Sequence, residues 1–392
     1  MKSNWNYPTT VWVGKDRIKD LGEACHNLKI NNPLFVTDKD LVNLPFIKEV
    51  ISEIKKKLKK LILFSNFTGN PFGENVDEGV KEFKQNDCDG VITIGGGSAI
   101  DVGKAIAFMS GQSKSIWDFE DVGDYWKRAN NENIPPIIAI PTTAGTGSEV
   151  TPISIITMDD KEKKGVSSKL ILPDLAILDP LLTINLPPNI TASTGIDAMV
   201  HAIEAYTSTN PNNNPISKML SIEALKFIGS SIKTAVFEGY NINARSNMLF
   251  GSMLAGKAFA NSPVAAVHAL AYPIGGLFNI SHGLSNSLVL PSVMKFNSKN
   301  EETKKNYAYL SPYVFKNLDN SKNDEFLCNN FIDGLERLCK ELNLPYRLRD
   351  LEIPQEACQL MASEAMKQTR LLVNNPRKIE ESDAFNIYKS VW

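Results

Sequence analysis

"VITIGGGSAIDVGKAIA", residues 91–107, decides the fold. An apolar, β-branched run reaches three consecutive glycines, and a stretch of good helix formers follows. β-Branched residues favour strands, and glycines permit the close turn that carries a strand into a helix. The run is apolar almost throughout rather than at alternate positions, the pattern of a strand covered on both faces of a parallel sheet.

The same alternation extends outward. "TVWVG" (10–14), "NPLFVTD" (32–38), "KLILFSN" (60–66) and "PPIIAIPTT" (135–143) read as further strands. "VNLPFIKEVISEIKKKL", from Pro45 onward, and "ENVDEGVKEFKQNDC" read as amphipathic helices between them. Strands alternating with helices predict βαβ units and a parallel sheet. Near "AILDPLLTINLPPN" (176–189) the texture changes. Beyond it "ITASTGIDAMVHAIEAYTS", "SKMLSIEALKFIGSSIKTAVFE", "ARSNMLFGSMLAGKAFA" and "NNFIDGLERLCKELN" all carry helical period. The expectation is an N-terminal α/β domain, residues 1–186, and an all-helical C-terminal domain, residues 187–392.

A chain of 392 residues is long for one core, which agrees with two domains. Hydrophobic residues at 43% and charged residues at 22% are ordinary for a globular protein, and a net charge of −2 argues against nucleic-acid or anionic-membrane partners. The run "KKKLKK" (55–60) reads as a solvated helix end. Five scattered cysteines lack metal-finger or CxxC spacing, which favours reduced thiols and a cytoplasmic location. The first ten residues do not read as a signal peptide, and no uncharged apolar stretch is long enough to span a bilayer.

Three features carry chemistry. The glycine turn 95–97 opens a helix, whose free N–H groups suit a phosphate. Asp38 ends the strand of "LFVTD", where an acid can hold a ribose 2′-hydroxyl and repel a 2′-phosphate. Asp197 and His201 lie four apart, on one helical face. His268 and His282 flank "ALAYPIGGLFNIS", where Pro273 and two glycines predict a break that returns the chain. The protein has only four histidines, and three of them fall here. One carboxylate and three imidazoles suit a divalent metal, with room for a substrate oxygen. Each signal also has a plain structural reading: a turn, a cap, a packed histidine.

These residues stand within a longer series of ordered motifs. They are "VTD" (36–38), "IGGGSAIDVGKAIA" (94–107), "IPTTAGTGSEVTP" (140–152), "LPDLAILDPLLTINLP" (172–187), "TGIDAMVHAIEAYTS" (194–208), "HALAYPIGG" (268–276), "HGLSNSLVLPSVMKFN" (282–297) and "NNPR" (374–377). Over nearly its full length the chain resembles the iron-containing, group III alcohol dehydrogenases, relatives of glycerol dehydrogenase and dehydroquinate synthase. The resemblance implies a dehydroquinate synthase-like architecture, a dinucleotide domain followed by a helical domain, with Fe²⁺ or Zn²⁺ held by Asp197, His201, His268 and His282.

It also implies cofactor contacts from Asp38, Asn70, Gly95, Gly96, Gly97, Ser98, Asp101, Thr142, Thr143, Thr146, Thr151 and Leu182. A lysine at Lys163 or Lys164 joins them, and Gly145 and Gly147 keep the loop tight against the cofactor. Two positions depart from the family: Phe72 follows Asn70-Pro71 where a threonine is common, and Tyr272 replaces a second histidine. Tyr272 is the candidate proton relay, or a wall of an apolar pocket with Phe259, Val264 and Phe278.

The reaction implied is hydride transfer between a small alcohol or aldehyde and a nicotinamide cofactor, NAD in preference to NADP because of Asp38. A cytoplasmic homodimer or higher homo-oligomer is expected. A lyase or synthase using the same metal and cofactor is the alternative. Its anionic substrate would want basic residues near the metal helices, and segments 194–208 and 259–291 have only Lys257 nearby.

Overall fold

The computed structural model describes residues 2–6, 8–158, 163–316 and 321–392. The chain forms two compact units, which no single cut in the sequence separates. One comprises Tyr7–Thr143 and Gly147–Asn185; the other comprises Met1–Asn6, Ala144–Thr146 and Leu186–Trp392.

The first unit alternates strands and helices: β1 (Thr10–Val13), α1 (Leu21–Asn27), β2 (Pro33–Val36), α2 (Pro45–Lys55), β3 (Ile62–Phe64), α3 (Gly73–Gln85), β4 (Gly90–Gly95), α4 (Gly97–Ser110) and β5 (Ile137–Pro141). Strands β6 (Ile153–Thr157), β7 (Lys163–Ser167) and β8 (Leu175–Leu178) complete it. Six strands form a parallel sheet in the order β1-β8-β5-β4-β2-β3. Both faces are covered, which is why the strands read as continuous apolar runs. Leu34, Val36 and Val91 pack with Val76 and Phe83 of α3 and with Ile106 and Phe108 of α4. Their neighbours Phe35, Ile92 and Ile94 point the other way, onto Leu21 and Ala24 of α1 and Ile47 and Ile54 of α2.

Three strands escape the periodicity reading. β6 and β7 pair antiparallel as a separate hairpin. β8 has four residues and lies between β1 and β5 in the sheet. The apolar run 175–178 is therefore an internal strand of the sheet, within the expected α/β domain of residues 1–186.

A buried cation braces this unit. Lys104 has no exposed surface, and its Nζ lies within hydrogen-bond reach of the Ser148 carbonyl (2.9 Å), Ser148 Oγ (2.9 Å), Thr151 Oγ1 (3.3 Å) and the Ile153 carbonyl (2.6 Å), among which its three hydrogens are shared. Its Nζ lies 3.5 Å from Asp101 Oδ1, which also accepts from Ser148 Oγ at 2.5 Å. The Ile155 N–H donates to Asp101 Oδ2 (3.0 Å). These bonds tie the segment 148–155 to α4.

The second unit is helical: α5 (Pro188–Thr207), α6 (Pro215–Phe237), α7 (Ile242–Phe259), α8 (Ala266–Phe278), α9 (His282–Asn297), α10 (Glu301–Val314), α11 (Asp324–Glu341), α12 (Ala357–Met366), α13 (Thr369–Leu372) and α14 (Glu381–Ser390). The "NNPR" motif fastens these helices. Asn374 donates to the Val264 carbonyl ahead of α8 (3.1 Å), and Asn375 pairs reciprocally with Asn297 at the end of α9 (2.8 and 3.0 Å). The Arg377 guanidinium lies 3.7 Å from the Phe296 ring centroid.

The expected break at Pro273 does not occur. α8 runs through the buried proline and ends at Asn279, whose φ of 54° is the left-handed conformation that asparagine tolerates at a helix end. The chain reverses there, and α9 starts at His282. Packing of a strongly apolar helix outweighs the bond and the clash that proline imposes. Among the described residues, no helix is long and apolar enough to cross a membrane.

Candidate metal centre

α5 presents Asp197 and His201 one turn apart, α8 supplies His268 in its first turn, and α9 supplies His282 as its first residue. One ligand atom from each of the four lies within 4.8 Å of all the others. His268 Nε2 and His282 Nε2 are 3.9 and 3.6 Å from Asp197 Oδ1. Gly283 permits this approach: a Cβ there would stand 2.4 Å from the Ser193 carbonyl oxygen and 3.3 Å from Asp197 Cβ. Asp197, His201 and His268 are buried, while the His282 side chain is 33% exposed, so the cluster is open on one side.

The surroundings fix which atoms face inward. His268 Nδ1 is 2.7 Å from Glu204 Oε2, so it carries the proton and leaves the Nε2 lone pair for the cluster. His201 Nδ1 lies 3.2 Å from the Gly145 carbonyl, with the same consequence. Phe259 stacks on His201 with ring centroids 4.4 Å apart. Burial holds the His201 imidazole down at about 4, so it is neutral at neutral pH. Burial alone would raise the Asp197 carboxyl, but the imidazoles of His201, His282 and His268, with the Asn286 amide, outweigh it and hold the group below its ordinary value. One buried carboxylate and three imidazoles converging on one point are a donor set that fits a divalent cation of the iron or zinc kind.

Three further side chains belong to the neighbourhood. Glu204 accepts from the Ala265 (3.0 Å) and Val267 (2.6 Å) N–H groups, which fastens the start of α8 as well as His268. Asn286 donates to Asp197 Oδ1 (2.6 Å). Both had a sequence signal, since Glu204 follows His201 by three residues and Asn286 follows His282 by four. Arg370 of α13 had none. It donates to Tyr272 Oη (3.3 Å), and it brings a positive charge beside a pocket expected to be apolar. The Tyr272 ring centroid is 5.7 Å from that of His282. Val264 is buried, and Phe278 is half-buried beside the turn into His282.

The expected cofactor residues of the α/β unit gather around the glycine turn. Gly95 has φ 153°, and a Cβ there would lie 2.6 Å from Ala99 Cβ and 3.8 Å from Asp38 Oδ2. Asp38 Oδ1 accepts from the Asp40 (3.0 Å) and Leu41 (2.8 Å) N–H groups, and burial raises its carboxyl. Ser98 Oγ donates to the Gly69 carbonyl (2.6 Å), which draws the Asn70 loop alongside. The Thr142 N–H donates to the Gly95 carbonyl (2.9 Å), and Thr143 flanks Gly96.

Asp101 and Thr151 stand apart from this group, since their polar atoms serve the buried Lys104 network. Gly145 and Thr146 are grouped with the helical unit, and Gly145 packs on Thr194 of α5. Leu182 is buried in the sheet's apolar core. The lysines separate: Lys164 Nζ pairs with Glu120 (3.1 Å), while Lys163, its neighbour on the other face of β7, is held below its ordinary value by burial.

The chain thus joins a parallel α/β unit with a glycine turn to a helical unit whose aspartate–histidine cluster could hold a metal ion. The sequence model of the iron-containing alcohol dehydrogenases matches residues 8–180, and that of the C-terminal part of the Fe-containing alcohol dehydrogenase family matches residues 191–392. The chain belongs to the iron-containing alcohol dehydrogenase family and is an oxidoreductase.

It is 34% identical over 391 residues to long-chain-alcohol dehydrogenase 1 of Geobacillus thermodenitrificans, covering 98% of this chain and 96% of that one. It is 31% identical over 391 residues to the NAD-dependent methanol dehydrogenase of Bacillus methanolicus, covering 99% of each. The solved structure of a 1,3-propanediol oxidoreductase superposes over the whole of both chains with a TM-score of 0.93 at 30% identity. Nothing in these matches favours the lyase or synthase alternative.

Proposed function

We propose that the chain is an NAD-dependent, iron-type alcohol dehydrogenase that interconverts a small alcohol and its aldehyde or ketone. One observation carries the reading: four ligand atoms, from Asp197, His201, His268 and His282, converge within 4.8 Å on a side that His282 leaves open. Fe²⁺ is the proposed metal, with Zn²⁺ its competitor on affinity grounds. When bound, the metal supplies a Lewis acid for the substrate oxygen and the nicotinamide supplies or accepts the hydride.

The chain's own residues do the rest. The Nδ1–H groups of His201 and His268, held by Gly145 and Glu204, keep both Nε2 lone pairs aimed into the site. The turn Gly95–Ser98, at the start of α4, offers free N–H groups to the pyrophosphate. Asp38 takes the ribose and disfavours a 2′-phosphate. Asn70, Thr142, Thr143, Thr146, Leu182 and Lys163 are the proposed remaining contacts, with Asp101 and Thr151 shaping the loop from behind. Lys163 is preferred to Lys164 because the latter is committed to Glu120.

Tyr272 is the proposed proton carrier. Its oxygen accepts from Arg370, which leaves its own hydrogen able to point at a substrate oxygen. The relatives named above act, by their names, on alcohols from methanol to long-chain ones, which supports the reaction class. Five cysteines, all buried and unpaired, support a reducing cytoplasm, and a homodimer or higher homo-oligomer is proposed. The test is anaerobic loading with Fe²⁺ or Zn²⁺, followed by NADH absorbance across a panel of alcohols and aldehydes. Turnover with NAD after loading is expected; no NADH change with any member would refute the reading.

A further inference from the structure

Asn286 has no exposed surface and is reached by three of the four ligand atoms. Its Nδ2 lies 2.6 Å from Asp197 Oδ1, 3.2 Å from His282 Nε2 and 3.4 Å from His268 Nε2. Its Oδ1 is buried and has no hydrogen-bond partner among the described residues. The amide is therefore oriented wholly by its donor end. Turned over, it would set an oxygen against the Asp197 carboxylate.

A buried amide oxygen left idle is costly, and the fold accepts that cost only where the other end is strongly used. Here the donor end meets a buried carboxylate, the kind of acceptor that gives the stronger hydrogen bonds. The imidazole contacts add a constraint. His268 gives its Nδ1 proton to Glu204, so its Nε2 has one lone pair, which serves either the amide hydrogen or a cation.

We propose that Asn286 is a resident competitor for the metal: its amide holds Asp197, His268 and His282 together in the metal-free protein and yields those lone pairs when a cation binds. The inference rests on the metal-centre reading above. It assigns Asn286 a positioning role in metal uptake rather than a place among the ligands.

The consequence has an unusual sign. A group that stabilises only the metal-free state weakens metal binding by the same factor. Asn286→Ala removes it, and the cavity it leaves is common to the free and loaded forms and cancels in the affinity. The metal-free protein should lose stability, and metal affinity should rise about ten-fold, the scale of one hydrogen bond to a charged group.

The experiment strips wild type and Asn286→Ala with a chelator and titrates each with Zn²⁺ against a chromophoric chelator. Melting curves are recorded with and without Zn²⁺. Tighter binding in the variant, with a larger rise in melting temperature on loading, supports the proposal. Equal or weaker binding overturns it and makes Asn286 a residue of the loaded state. Asn286→Ser, which keeps one shorter donor, should shift affinity less in the same direction and serves if the alanine variant does not fold. Failure of wild type to take up Zn²⁺ would instead overturn the metal centre itself, and the proposal with it.

Discussion

Glu204→Gln tests whether the tautomers that the surroundings impose matter to the site. The carboxylate is buried and accepts three bonds: Oε1 from the Val267 N–H, and Oε2 from the Ala265 N–H and His268 Nδ1. Glutamine has the same shape, but its NH₂ end accepts nothing. One side must lose its acceptor, either Val267 or the Ala265–His268 pair. A buried donor left unpaired costs about 1–3 kcal/mol, so the helical unit should melt several degrees lower. Loss of the charge behind His268 also weakens the imidazole as a ligand. Removing such an outer partner typically lowers metal affinity about 10- to 100-fold, or roughly 1.4–2.7 kcal/mol. The assay is competitive chelator titration, with calorimetry of the metal-free and loaded forms. Wild-type affinity with an unchanged melting temperature would refute the argument that Glu204 sets the His268 tautomer.

Asp38→Asn removes the charge expected to meet a 2′-phosphate while keeping an oxygen for the Asp40 and Leu41 N–H groups. The ratio of kcat/KM for NADP to that for NAD should rise at least about ten-fold; a wild type that already favours NADP contradicts the assignment. Tyr272→Phe keeps the ring and removes the hydroxyl that Arg370 holds. If the phenol passes the proton, kcat at neutral pH should fall by about ten-fold or more and its pH profile should change shape; an unchanged profile leaves Tyr272 as pocket wall. His201 titrates near its ordinary 6.5 when unfolded and at about 4 when folded, so between those values the unfolded chain binds more protons. The stability of the metal-free protein should be fully present above pH 6.5 and fall as pH drops toward 4, as chemical denaturation at stepped pH would record. His201→Gln should flatten that slope, and an equal slope in both proteins would count against a neutral buried imidazole.

Much of the fold and of the metal cluster is legible in local sequence because their signals are local. Continuous apolar strands separated by amphipathic helices announce the covered parallel sheet, and four-residue spacing puts Asp197 and His201 on one face. What is not legible depends on contacts between distant segments. β8 is four residues long and becomes a strand because β1 and β5 lie on either side of it. Pro273 stays helical because its helix is buried, and the return to His282 falls to Asn279 instead. Arg370 meets Tyr272 across 98 positions of sequence, beyond any periodicity. Asp101 carries a cofactor motif, yet its oxygens are taken up by Lys104, Ser148 and Ile155, a network that only the folded unit discloses.

Asp197, His201, His268 and His282 are proposed to hold one divalent cation. The most direct test is the metal content of anaerobically purified protein by elemental analysis, for wild type and for the His268→Ala/His282→Ala double variant, with folding checked by circular dichroism. Close to one iron or zinc per wild-type chain is expected, and almost none in a folded double variant. Equal metal content in the two proteins, or none in wild type after loading with Fe²⁺ and Zn²⁺, would contradict this assignment.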